Sequence, residues 1–439
     1  MLRSESESGA QPLWRNRDYN LWWGGSAVSQ LGSSVSQLAY PLLILGATGS
    51  ASSAGIVAAC TNAGYLCASL PAGVAADRAS RRSLLMVSTV VQLVFMAAVA
   101  GAVADGHVWV WQIAVTALVQ GVMSAAHDAA EAPALRRIVP PDQLKVAYAR
   151  EHARGMGAQL VGPPFGGLLF AFSRWIPFAF DAVSYFFVTL AAVFIRSPLG
   201  PDRPEGEGGA WPSSVRQDVS EGLRFLWRDS FLRFALFWAA LSNCALAGLV
   251  FMFVVVLRHH GASASVIGSA QAIVAACGLL GALVAGWIVQ RVSGLRIILT
   301  MSWLMAAGTV GVAMLASQPW LAALCFGGLL FFMTPLNVTF QARMAGIVPD
   351  RMTGRVMTAV SMAAQCLKWL APLVCGALAD HFSPTVPVLG LAAVFVLLAV
   401  ANQMSPEIRG FDDADFRASE KRSGAGSHDV PSGEITTEN

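Results

Sequence analysis

The chain has 439 residues, 55% of them hydrophobic and 13% charged, with a mean hydropathy of +0.57. Soluble globular domains carry about 25% charged residues, so the composition excludes an ordinary water-soluble globule, and a net charge of +3 is too small to indicate nucleic-acid binding. All seven cysteines lie in apolar runs, where thiols behave as small hydrophobes, so neither a metal site nor a disulfide framework is expected.

Residues 1–18 are polar and lack the apolar core of a cleavable signal. A helix needs roughly 20 apolar residues to cross a ~30 Å hydrocarbon core. Six runs meet that need at 19–46, 52–75, 83–104, 109–133, 146–172 and 175–195. The stretch 196–230 then reads as a Pro-, Gly- and charge-rich linker. Six more runs follow at 231–257, 265–290, 296–317, 320–343, 355–380 and 385–404, before a polar tail over 405–439 expected to be disordered. Period-two segments of a membrane barrel are absent. The expected fold is all-α and integral to the membrane, with twelve helices in two six-helix bundles, 19–195 and 231–404, flanking a cytoplasmic linker.

An even number of spans puts both termini on one side. That side collects Arg3, Arg15, Arg17, Arg78, Arg81, Arg82, Arg136, Arg137 and Lys145, then Arg291, Arg296, Arg343, Arg351 and Arg355. The other side has only Arg174 and Arg258. The positive-inside rule therefore predicts cytoplasmic termini in a multi-pass protein of the plasma membrane.

The two halves carry a repeat. SLPAGVAADRASRRSLLM (69–86) aligns without gaps to ALVAGWIVQRVSGLRIIL (282–299), an offset of 213. Ile138, Val139 and Pro140 match Ile347, Val348 and Pro349 at an offset of 209, and at that offset Pro163 falls on Pro372 and Gly167 on Gly376. Parallel halves imply pseudo-twofold symmetry, alternating access and a central cavity at their interface.

Gly73, Asp77, Arg78, Arg81 and Arg82 form G-x-x-x-D-R-x-x-R-R between spans two and three, and here the sequence resembles the major facilitator superfamily of transporters. The second-half copy keeps Gly286 and Arg291 but has Gln290 in place of the acid. Residues 31–55 and 177–186 look like the efflux subgroup that includes enterobactin and macrolide exporters. In span five, Gly162, Pro163, Gly166 and Gly167 match the G-P-x-x-G-G core of that family's antiporter motif. Two positions depart from the pattern. Ala117 stands where the proton-antiporter signature of span four has arginine, though Gln120 and Gly121 are kept, and Gln159 stands where the subgroup often has arginine. The resemblance implies a gate in which Gly73 permits close helix approach and Asp77 and Arg78 latch the bundles at the cytoplasmic joint.

Span one carries Ser26, Gln30, Ser33, Gln37 and Tyr40 at spacings of three or four, and span four carries Gln112, Thr116, Gln120, Ser124 and Asp128. Each set draws a polar stripe that lipid does not satisfy. The stripes either line a water-filled cavity or hold helices together. By resemblance, spans one, four, seven and ten line the cavity, which adds Asn243 and Asn337. The cavity candidates are thus Gln30, Gln37, Tyr40, Thr116, Gln120, Asn243, Asn337 and Lys368. Lys368, near the middle of span eleven, requires an acidic partner, a substrate anion or a path to water, unless it snorkels. Asp128, close to the cytoplasmic arginines, reads as part of the gate through an ion pair. Glu151 and Glu131 are the proton-coupling candidates, with a structural pair between Glu151 and Arg154 as the alternative. His127 and His152 are titratable without metal-ligand spacing, and Asp181 reads as a local hydrogen-bond acceptor.

The expected function is secondary-active export of small amphipathic organic molecules, such as a drug, siderophore or secondary metabolite, by proton antiport. No phosphate-binding loop is present. No cofactor is expected beyond a proton gradient, and the partners are substrate, protons and bilayer lipid, with the chain as a monomer. The alternatives are an uptake transporter of the same fold and a non-transporting membrane receptor or enzyme.

Overall fold

A computed structural model describes residues 13–78, 80–197, 200, 221, 224–349 and 352–409, without the side chains of residues 77, 78, 353–355 and 358. Most of the expected linker and tail lies outside these residues. Within a bilayer every backbone N–H and C=O must be satisfied inside its own segment or by a closed barrel. The described residues accordingly contain helices and no strands.

The first half comprises α1 (Arg17–Thr48), α2 (Ala51–Arg78), α3 (Arg81–Ala104), α4 (Val110–Ile138), α5 (Leu144–Phe172) and α6 (Ile176–Phe194). The second comprises α7 (Ser230–His259), α8 (Ala264–Arg291), α9 (Gly294–Met314), α10 (Pro319–Ile347), α11 (Thr353–Gln365), α12 (Leu370–His381) and α13 (Thr385–Met404). A one-turn helix, α14 (Pro406–Arg409), follows. Span eleven differs from the expected continuous helix: it is broken at residues 366–369 into α11 and α12, and Lys368 lies in the break.

Among the described residues, nine stretches are long and apolar enough to cross a membrane. The three other long helices, α1, α4 and α5, have the length but not the apolarity. These helices carry the polar stripes and the charged residues of span five, so their low hydropathy comes from what faces inward. On α6 the division is visible residue by residue. Asp181, Ser184, Tyr185 and Val188 are buried, whereas Val183, Phe186, Phe187, Leu190 and Phe194 are exposed where lipid would lie. Buried polar pairs fasten neighbouring helices, Thr89 to Thr189 (2.8 Å) and Asn402 to Ser302 (2.7 Å).

One end of the molecule holds the beginning of α1, the α4–α5 turn and the end of α6. Asn16 donates to Ile138 O (2.9 Å), and Asp18 accepts from the Ser197 amide and hydroxyl (2.8 and 2.6 Å). We call this the terminal face. At the opposite face the halves meet along two seams, α2 against α12 and α5 against α8. A Cβ on Gly55 would strike the Pro372 carbonyl oxygen, and one on Gly376 the Ala51 carbonyl oxygen. On the other seam, Gly268 meets the Pro163 carbonyl and Gly167 the Ala264 carbonyl in the same way. The two sets correspond through the repeat offsets, 213 between α2 and α8 and 209 between α5 and α12. Between the seams, Phe251–Leu257 of α7 are all buried in one cluster with Leu38, Leu42 and Ile44 of α1, which plugs this end.

The first seam has an added fastening. Asp380 of α12 accepts from Ser50 Oγ (2.7 Å) and from the amides of Ala51 (2.7 Å) and Ser52 (2.9 Å), while Ser50 Oγ accepts from Ser53 N (3.1 Å). The first turn of α2 is thereby capped from the other half of the molecule. The corresponding residue on α5 is Ala171, and α8 is capped by its own Ser263.

Toward the terminal face the halves part. A cleft of about 360 Å³ lies between Tyr65, Leu66, Ser69 and Leu70 of α2 and Met357, Ser361, Met362 and Gln365 of α11. A Cβ on Gly73, or on its repeat mate Gly286, would meet nothing within 4 Å. The close approach expected at Gly73 is therefore not made in this conformation, because the helix ends it would join stand apart. Replacing Asp380 by alanine should weaken closure of the opposite face by about 1 kcal/mol, the worth of an exposed cap, or roughly fivefold in population. Spin labels at the α1–α2 turn and at Phe382 should report a larger share of long distances, and an unchanged distribution would refute the latch.

Candidate functional site

Two connected chambers occupy the space between the halves. The central one, about 410 Å³, is lined largely by apolar side chains, among them Leu38, Val57, Leu246, Val250, Phe251 and Val254. Its polar wall consists of Ser34, Gln37, Tyr40, Thr61, Asn62, Gln159, Asn243, Gln271 and Lys368. The second chamber, about 390 Å³, is polar and is walled mainly by the first half, with Ser26, Gln30, Ser33, Tyr65, Ser124, His127, Asp128, Glu131 and Arg154. Gln37, Thr61 and Asn62 belong to both walls.

The central chamber owes its place to α5. Gly162 and Gly166 lie on one helical face, four residues apart, against Ser34 and Val35 of α1. Pro163 and Gly167, on the adjoining face, pack against Gly268 and Ala264 of α8. The G-P-x-x-G-G stretch thus presses α5 onto two helices at once, one from each half. A larger residue at Gly162 or Gly167 would separate them.

In the polar chamber, Arg154 of α5 is buried and reaches two carboxylates, Glu131 of α4 at 2.9 Å and Glu151 at 2.6 Å. Its Nε donates to Gln30 Oε1 of α1 (3.2 Å). The contact with Glu151 is close but poorly aligned, so it is an ion pair rather than a directed hydrogen bond. One guanidinium therefore serves two carboxylates. This joins both proton-coupling candidates in a single cluster, with the Glu151–Arg154 pair present as well.

The remaining candidates divide. Gln30 and Gln37 line the chambers, as do Tyr40, Asn243 and Lys368. Thr116 and Gln120 do not: Thr116 donates to Gln112 O (2.9 Å), and Gln120 accepts from Tyr185 Oη (3.2 Å) inside the first bundle. The stripe on α4 crosses from bundle interior to chamber along its length, so only Ser124 and Asp128 reach the space. Asn337 is half-buried and lies outside both chamber walls. Asp128 accepts from Tyr65 Oη (3.0 Å) and makes no ion pair among the described residues; the side chain of Arg78, an arginine of the expected gate pair, lies outside them. His127 stacks on Trp22 (centroids 6.3 Å apart), and His152 is exposed. Asp181 accepts from Ser36 Oγ (2.6 Å) and Ser184 Oγ (3.2 Å), as a local acceptor should. In the gate motif Arg81 is buried and Arg82 half-buried, while the side chains of Asp77 and Arg78 lie outside the described residues.

Sequence reading missed Asn62, Gln159 and Gln271 as chamber residues, together with Asp380. The amides stand out as polar groups in apolar spans, and Gln159 is the repeat mate of Lys368 at the offset of 209. Lys368 Nζ donates to Gln365 Oε1 at 3.2 Å.

The pattern of the Major Facilitator Superfamily matches residues 22–369 and, in a second alignment, 236–405. The multidrug efflux pump Tap of Mycolicibacterium fortuitum is 26% identical over 395 residues, covering 87% of this chain and 94% of that protein. Tap of Mycobacterium tuberculosis H37Rv is 28% identical over 396 residues, covering 87% and 91%. The nucleoside transporter NupG (D323A mutant) superposes with a TM-score of 0.71 at 12% identity, over 87% of this chain and 98% of that one. A bacterial homologue of the human lysosomal transporter Spinster, inward-facing and unoccupied, superposes at 0.65 and 14% identity, over 97% and 100%. These structures share the fold.

The charge balance around Arg154 orders the stability of its variants. Arg154→Gln leaves two facing carboxylates without a cation, a defect worth about 3–5 kcal/mol; Glu151→Gln leaves a matched pair. Thermal unfolding in detergent should place the Arg154 variant well below the Glu151 variant in Tm, and the reverse order would contradict the shared-cation arrangement.

Proposed function

Because the chain belongs to the major facilitator superfamily, we propose that this membrane transporter exports small amphipathic organic molecules by alternating access, in exchange for protons. It is a transporter rather than an enzyme, a multi-pass protein of the cell membrane. The observation that carries the reading is the junction of an apolar chamber with an acidic one across the shared wall of Gln37, Thr61 and Asn62. An apolar cavity with a few placed polar groups suits an amphipathic ligand better than a sugar or an inorganic ion. Relatives named as multidrug efflux pumps support the outward direction.

The bias of arginine and lysine assigns the terminal face to the cytoplasm. With the seams closed at the opposite face and a cleft at the terminal one, the chambers stand open inward, the state that loads an exporter. Glu131 and Glu151 share Arg154, which balances one of them, so the cluster carries one negative charge that a proton cancels. The cluster and the substrate chamber meet on α1, whose Gln30 accepts from Arg154 and whose Gln37 lines both chambers. Coupling follows if proton and substrate each favour a different conformation. Asp77 and Arg78 supply the cytoplasmic latch of the outward-facing state, by the family motif.

Purified protein in liposomes with an imposed pH gradient tests this reading against a panel of amphipathic compounds. Transport that needs no proton movement for any compound would overturn antiport. Glu151→Gln should abolish proton-coupled accumulation while downhill exchange persists, and intact coupling would remove Glu151 from the role. Asp77→Asn should slow turnover severalfold with substrate affinity largely kept; a pure loss of affinity would contradict a latch.

A further inference from the structure

The central chamber has one ionised wall residue and nothing on the wall to balance it. Of the side chains that line it, only Lys368 is charged. Its described partner is the neutral Gln365 amide, and no carboxylate lies in ion-pair range of it among the described residues. The acids of the first half are engaged elsewhere, Asp128 with Tyr65 and Glu131 and Glu151 with Arg154. The break at residues 366–369 lifts Lys368 out of a regular helix and into the chamber wall, so it is not a lysine running along a lipid-facing surface.

The neighbouring amides are neutral. Asn62 and Asn243 turn their N–H groups onto their own helices, to Ala58 O (3.0 Å) and Ala239 O (2.8 Å). Each spends one amide hydrogen there and keeps a second donor besides its oxygen, so neither adds a charge to the wall. Gln159, the repeat mate of Lys368, is neutral, so the positive pole is single and sits on the second half alone. An amphipathic cation would meet Lys368 as a like charge in a partly desolvated space. An amphipathic anion would place its apolar body against Leu246, Val250, Phe251 and Val254 and its charge on the ammonium.

Resting on the transport reading above, we propose that the substrates of this protein are amphipathic molecules bearing an anionic group, a carboxylate in the simplest case, seated on Lys368 Nζ. The class excludes permanently cationic amphiphiles as preferred cargo. Lys368 is then the residue that sets charge selectivity.

The test uses the full chain in liposomes with three probes: fusidate, an amphipathic carboxylate; its neutral methyl ester; and tetraphenylphosphonium, an amphipathic cation. The wild type should move fusidate at least tenfold faster than the ester. In Lys368→Gln the acid-to-ester ratio should fall to about one, and Lys368→Arg should restore most of it. A ratio near one in the wild type, or one kept by Lys368→Gln, overturns the inference. Transport of the ester or the cation without fusidate overturns it while export of amphiphiles stands, whereas failure to move any of the three brings down both. Thermal unfolding in detergent gives a reading independent of turnover. Fusidate should raise the Tm of the wild type more than the ester does, and that difference should vanish in Lys368→Gln; equal shifts overturn the inference.

Discussion

Four contacts between a glycine and a carbonyl oxygen of the facing helix decide the shape of everything else in this molecule. At Gly55, Gly268, Gly167 and Gly376 any side chain would overlap the partner backbone, so the halves approach as closely as two helices can. In lipid, where apolar surface gains nothing by leaving one hydrocarbon for another, such fitted backbone contact is a main source of helix affinity. Because all four lie toward one face, drawing the halves together there leaves the other ends apart. The chambers are the volume that results.

That volume is unequally furnished. The first half supplies nearly all the charge: Asp128, Glu131, Glu151 and Arg154 stand on α4 and α5. The second half supplies apolar wall and a single lysine. The same inequality explains why α1, α4 and α5 fall short of a bilayer-spanning hydropathy while remaining long enough to cross. The polar residues along their inner faces are paired with one another or face the chambers, so lipid does not have to solvate those.

The helices and their order were legible because bilayer thickness imposes a length on every apolar run, and the observed ends fall within a few residues of the expected ones. The repeat was legible too, and its two offsets connect the seam contacts pair by pair. The site was legible in part. A spacing of three or four residues names a helical face but not the depth at which that face leaves the bundle interior, hence Thr116 and Gln120 on the wrong side of that change. The Arg154 cluster joins Glu131 to a residue 23 positions away, a distance no local pattern encodes. Gly73 meets no neighbour in this conformation, and a sequence does not say which state it is read in. The broken eleventh span carries no proline in the break at 366–369, so nothing local announces it.

The cap that Asp380 lends to α2 has no counterpart on the other seam, where Ala171 takes its place. The two seams therefore differ in their polar fastening although their glycine contacts match. Any motion that parts the opposite face has to break the Asp380 cap on one seam and meets no such bond at Ala171 on the other.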